Sequence, residues 1–353
     1  MRILHTYCVN YNLGDHALGV GVKSILRHFL DVDLIGETNI QGTNFDESFI
    51  NKINREYDLL VIGGGGIIHG AHWPNGWFWL IDKNNIKEIR IPFIVYGAGY
   101  NYFRGEAGIP VRGIEHLQET NRYAKFFSVR NDGSYERMKE QTGLEIIEVP
   151  DPGFHVDMDI VYNRPVEEKY VIVQLAGDKQ QYRFGEGKNK LIFIQKMRKV
   201  IEYLCTRFKV ILTPHVLDDI KLCIDVAEGI KNTEVWKFGS FAFDRVNDAI
   251  AYYKYAEMVL AMRGHAQILP IGFNVPVISL ENHDKNLGLM KKLSLEKFNV
   301  NIQDAALSEK VISLVEEINK SKFDLRNQYV QINSKLFTQT QSAMKMISDR
   351  LRD

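Results

Sequence analysis

The chain has 353 residues, 45% hydrophobic and 25% charged, with 44 basic and 44 acidic side chains giving a formal net charge of zero. That length suits two domains and that composition a globular protein, while the neutral balance argues against a generic nucleic-acid binder. The three cysteines, Cys8, Cys205 and Cys223, show no CxxC or Cys/His spacing and read as reduced thiols of a cytosolic protein, with no metal site.

In chain order, residues 2–7 form a strand candidate, followed by the loop Asn12-Leu13-Gly14-Asp15 and a helix to about residue 30. Further short apolar runs lie at 32–35, 59–62, 93–96, 126–129 and 145–149, with helical patterns at 114–124 and 133–141. Strands alternating with helices imply parallel βαβ units. Pro150-Asp151-Pro152-Gly153 ends regular structure, and the polar stretch to about 168 reads as a linker. A second set of strand runs follows at 170–175, 209–212, 234–236, 258–262 and 275–280, then helices at 307–318 and 325–351. The expected fold is α/β: two doubly wound Rossmann-like domains, 1–160 and 161–353, with a ligand cleft between them and a C-terminal helix that crosses back to the first. The amino terminus is too short and polar for a signal peptide and no run approaches a membrane span, so a cytoplasmic protein is expected.

Candidate site residues cluster where strands end. Asp15 reads either as a helix cap or as a base or acceptor-binding carboxylate, with Asn12 and Gly14 beside it. Gly63–Gly66 directly follow a strand, so an exposed backbone cradle for an anion or sugar is expected at Gly64 and Gly65. His69 and His72 follow, then Trp77 and Trp79, which suit either carbohydrate stacking or an aromatic core. Arg130 ends another strand, as an anion clamp or as the partner of Asp132. Thr213-Pro214-His215 ends a strand of the second half, where His215 shapes a pocket or merely a turn. Arg263-Gly264-His265 leaves the run at 258–262 and opens a helix, where a guanidinium, an imidazole and a helix amino terminus suit an anion that needs a proton moved. Lys285 and Arg183 are further cations, each also readable as solvated surface.

Taken in order, NLGDHA, the four glycines, SVRNDGS, the strand before TPH, and RGHAQILPIGFNVPVISL with Lys285 downstream resemble the polysaccharide pyruvyl transferase family. The resemblance implies a fold similar to GT-B glycosyltransferases, with phosphoenolpyruvate as co-substrate, no cofactor or metal, and a glycan hydroxyl pair as acceptor. It implies His265 as general acid and Asp15 as base or acceptor anchor. Donor binding falls to Arg130, Arg263, Gly264, Lys285, Arg183 and His215, and acceptor binding to Asn12, Gly14, Gly64, Gly65, His69 and His72. Members often carry an arginine just after the first strand of the second domain; here that place reads Gln174-Leu175-Ala176-Gly177-Asp178, with Arg183 the nearest. The acceptor expected is an exopolysaccharide, capsule or cell-wall precursor, lipid-linked at the inner face of the membrane. Alternatives are a GT-B glycosyltransferase using a sugar nucleotide and a non-catalytic glycan-binding protein.

Overall fold

A computed structural model of the chain describes residues 1–9, 12–70, 73–101, 107–185, 189–236 and 245–352, the Lys322 side chain apart. His72 lies outside the described residues. The chain divides into two compact units: Met1–Asn10, Leu18–Ile160 and Leu336–Asp353 in the first, Tyr11–Ala17 and Val161–Lys335 in the second.

The first unit carries β1 (Arg2–Tyr7), α1 (Leu13–Phe29), β2 (Leu34–Asn39), α2 (Glu47–Glu56), β3 (Leu59–His69), β4 (Phe93–Asn101), α3 (Val111–Tyr123), β5 (Phe126–Arg130), α4 (Ser134–Thr142) and β6 (Ile147–Val149). The head of α1, to Ala17, groups with the second unit. The strands pair in parallel in the order β2-β1-β3-β4-β5-β6. Helices cover such sheets on both faces, so central strands bury every side chain; β3 is buried from Leu59 to Ile68. β2 is an edge strand, half exposed and ending in Glu37-Thr38-Asn39, and an apolar run therefore marks it poorly.

The second unit carries β7 (Tyr170–Gln174), α5 (Gln180–Phe184), α6 (Asn189–Cys205), β8 (Lys209–Leu212), α7 (Leu217–Ala227), β9 (Thr233–Val235), α8 (Val246–Tyr255), β10 (Val259–Ala261), α9 (Gly264–Gly272), β11 (Val277–Glu281), α10 (Asp284–Lys292), β12 (Asn299–Asn301) and the first part of α11 (Leu307–Arg352), whose tail from Leu336 groups with the first unit. Its parallel order is β12-β11-β10-β7-β8-β9. The connections run outward one way from β7 and the other way from β10, so the switch point lies between those two neighbours. The two C-terminal helices read from the sequence are both present within α11, meeting at a kink where Ser321 leaves the helical region (φ −110°, ψ 20°).

Two expectations are corrected. The glycine run is not a loop: Gly63–Gly66 continue β3, buried and paired with β4 across a register shift between Gly65 and Ile68. No exposed N–H cradle exists at Gly64 or Gly65. Gly64 has φ +71°, and a Cβ there would collide with Leu18 and stand 3.0 Å from Val22. Gly64→Ala is therefore expected to lose about 2–4 kcal/mol, from overpacking and left-handed strain together, read as a lowered urea midpoint. Nor is the proline-glycine segment wholly a linker. Asp151 caps a buried turn, Pro152–His155, by accepting from Gly153 N–H at 2.8 Å. Gly21 of α1 packs against the Pro152 carbonyl so closely that no Cβ would fit.

Candidate functional site

In open α/β sheets ligands bind outside the carboxyl ends of the strands, at the switch point. In the second unit that place is bounded by the loops after β7 and β10, and each carries charge. Arg263, leaving β10, donates through Nε to Asp219 Oδ2 (2.8 Å) and through Nη2 to Asp219 Oδ1 and Asp178 Oδ1 (2.6 Å each). Arg183, in α5, donates to Asp178 Oδ1 from Nε (3.2 Å) and Nη2 (3.0 Å), and from Nε to the Asp178 carbonyl (3.0 Å). Its Nη1 donates to Asn282 Oδ1, in the loop after β11.

Asp219 is the keystone of this group. Wholly buried, it also accepts the main-chain N–H groups of Gly177 (2.8 Å), His215 (3.0 Å) and Val216 (3.2 Å), fixing the loops after β7 and β8. Gln174 ties in β10 by accepting Arg263 N–H at 2.8 Å. Burial pushes the Asp178 carboxyl up, but Arg263 and then Arg183 outweigh it and hold it below the usual range. Burial also lowers the Arg263 guanidinium, an effect that Asp219 more than reverses. Arg183 stays lowered, because burial and the neighbouring Arg263 outweigh its aspartate; a guanidinium keeps its charge regardless. Two cations face two carboxylates, so Arg263, expected as an anion clamp, is already engaged by carboxylates of the chain itself.

His265 stands half-buried in the first turn of α9, beside exposed Gly264. Its side chain lies against the head of α1: a Cβ on Gly14 would stand 2.9 Å from both Cβ and Cγ of His265. Glycine is needed at 14 for that close approach. Asn12 caps this head, its Oδ1 accepting Gly14 N–H at 2.9 Å, so Asp15 is not the cap; it lies half-buried in the first turn. Leu13 N–H donates to the His215 carbonyl at 3.0 Å, joining the helix head to the loop after β8. His215 is wholly buried, with Nε2 2.6 Å from the Tyr253 hydroxyl, itself 2.9 Å from Thr213 Oγ1. Lys285 opens α10, donating its backbone N–H to the capping His283 Nδ1 at 3.0 Å.

The remaining candidates lie in the first unit. Arg130 is buried between Asp132 (Nε to Oδ2, 2.9 Å) and Asp151 (Nη1 to Oδ2, 2.9 Å), with Gly99 against its guanidinium. Paired on both sides, it ties the end of β5 to the turn after β6. His69 Nε2 lies 2.8 Å from the Gly66 carbonyl, and its ring stacks on Phe78. Trp77 and Trp79 are fully buried core. Among the described residues, no group of three His, Cys, Asp or Glu could hold a metal ion, and no helix is long and apolar enough to cross a membrane.

Burial holds His5 and His155 at about 4 and His215 well below the ordinary histidine value of 6.5. Below that value the unfolded chain takes up protons that the folded chain refuses. Stability is thus intact above pH 6.5 and falls as pH drops toward 4, by about 1.4 kcal/mol per pH unit for each such histidine. Urea midpoints at pH 7, 6 and 5 should fall progressively; a flat series would contradict the buried, neutral histidines.

A sequence model of the family described as "Polysaccharide pyruvyl transferase" matches residues 12–284. No curated protein matches significantly. Among solved structures, a putative UDP-N-acetylglucosamine 2-epimerase from Listeria monocytogenes superposes with TM-score 0.57 at 13% identity, over 98% of this chain and 94% of that one. S. aureus MnaA in its UDP co-structure gives 0.53 at 12%, over 93% and 90%. Anabaena Alr3699/HepE in complex with UDP gives 0.52 at 10%, over all of both chains. At such identities the likeness shows the fold alone, two parallel six-stranded sheets with alternating helices.

Proposed function

The chain belongs to the polysaccharide pyruvyl transferase family, and from that premise we propose that it moves the pyruvyl carbons of phosphoenolpyruvate onto a hydroxyl pair of a glycan, releasing phosphate and leaving a cyclic ketal. The observation that carries the reading is His265: an imidazole at the start of α9, at the switch point of the second sheet, packed on a glycine backbone that fixes its place.

The chemistry follows from the donor. Protonation of carbon 3 turns the enol double bond into a methyl group and leaves an oxocarbenium-like carbon 2. One glycan hydroxyl adds there, giving up its proton. The second then displaces phosphate, which carries away the C–O bonding pair and takes up that hydroxyl's proton, and closes the ring. Imidazole suits the proton donor because its ordinary pKa lies near neutrality. Cations held in place before the reaction stabilise the donor's carboxylate and the departing phosphate; Lys285 and the Arg183–Arg263 pair fill that part. Asp15 is the proposed base or acceptor anchor. The acceptor is proposed to be a glycan, lipid-linked and met at the inner face of the membrane.

The test is phosphate release from phosphoenolpyruvate in the presence of a panel of glycans, with the ketal methyl group followed by NMR. Phosphate release with a new ketal methyl signal is expected. Glycosyl transfer from a nucleotide sugar with neither product would replace this reading with the glycosyltransferase one.

A further inference from the structure

The two aspartates at the switch point are not equivalent. Asp219 is wholly buried and held by three main-chain N–H groups as well as Arg263. Asp178 is the outermost member, its side chain 24% exposed, and it reaches both guanidiniums through the single oxygen Oδ1. It follows Gly177, whose N–H is anchored on Asp219, and precedes Lys179, a non-glycine residue at φ +47°. Such left-handed backbone is costly and tends to mark switching segments.

We propose that the space between Arg183 and Arg263 is an anion slot and that Asp178 is its internal occupant, standing in for a ligand's carboxylate or phosphate and swinging aside when that anion enters. The proposal rests on reading this switch point as the donor site and adds how that site is kept closed. Both cations stay placed when the Asp178 side chain leaves. Arg263 remains fastened to Asp219, and Arg183 remains fastened to the Asp178 carbonyl and to Asn282. What leaves is one negative charge, so the slot passes from neutral to a net charge of +1 (two arginines less Asp219). An entering phosphate, with more charge and more acceptor oxygens than a carboxylate, satisfies both guanidiniums together.

The experiment follows thermal unfolding of the wild type, Asp178→Ala and Asp178→Asn against inorganic phosphate and, separately, acetate, with sodium chloride at matched ionic strength as the control. An anion that binds only the folded state raises the midpoint with its concentration. Half-maximal stabilisation of both variants is expected at a phosphate concentration at least tenfold below that of the wild type. The double variant Asp178→Ala/Arg183→Met should lose that gain. Acetate as potent as phosphate would assign the slot to a carboxylate, and a clear phosphate preference to a phosphoryl group; either supports the proposal. Equal anion dependence in wild type and variants, or a gain that survives loss of Arg183, would overturn it. Because the probes are simple anions, that failure would leave the pyruvyl-transfer reading untouched, which turnover of phosphoenolpyruvate tests by itself.

Discussion

Asp219→Ala is expected to lower folding stability by about 3–5 kcal/mol, the cost of breaking a buried ion pair by removing one partner. The side chain is wholly buried and accepts from Arg263 twice and from the backbone of Gly177, His215 and Val216. Its removal leaves a guanidinium sharing one partly exposed carboxylate with Arg183, and three main-chain N–H groups without their acceptor. Each unmet buried donor carries its own penalty. Asp178→Ala should cost markedly less, because that carboxylate is nearer solvent and accepts from the guanidiniums of Arg183 and Arg263 rather than from a set of main-chain N–H groups. Urea unfolding of the two variants side by side checks the ranking. An Asp219→Ala unfolding free energy within about 1 kcal/mol of wild type would mean that the loops after β7 and β8 are held by something else.

His265→Ala should lower turnover by about 10²–10⁴-fold, the range usual for a positioned general acid, while the dissociation constant for phosphoenolpyruvate changes by less than about threefold. The split is the point: a residue acting only in the transition state lowers kcat without weakening ground-state binding. Lys285→Ala should show the opposite pattern, with donor affinity lost first. The imidazole is placed by the Gly14 backbone on one side and by the turn into α9 on the other, and the Asn12 cap of α1 does not depend on it. Wild-type turnover in His265→Ala would end the assignment.

Much of this arrangement could be read from the sequence, and for reasons that can be named. β1 and β8 coincide with their expected spans residue for residue; β8 is marked by the apolar run that a strand covered on both faces needs, and β1 by Ile3, Leu4 and Tyr7 among polar residues. The Arg263-Gly264-His265 turn was legible since a strand run, a glycine and a periodic helix follow one another without interruption. The edge strand β12 was not: it is three residues, Asn299–Asn301, with one apolar side chain. The glycine run misled because glycine contributes nothing to a hydropathy pattern; only its crowding against Leu18 and the β4 backbone shows why side chains are missing there. Arg130 looked open because only one of its two carboxylate partners, Asp132, is close in sequence; Asp151 comes from the turn after β6. Asp219 left no signal at all. An aspartate in the first turn of an ordinary helix reads as a solvated residue, and only the fold turns it inward beneath Arg263.

The central claim is that the donor is phosphoenolpyruvate, and calorimetric titration of the protein with it, beside a set of nucleotide sugars, tests that most directly. Saturable phosphoenolpyruvate binding is predicted, kept in His265→Ala and weakened at least tenfold in Lys285→Ala. Tight binding of a nucleotide sugar with no heat from phosphoenolpyruvate would contradict the account.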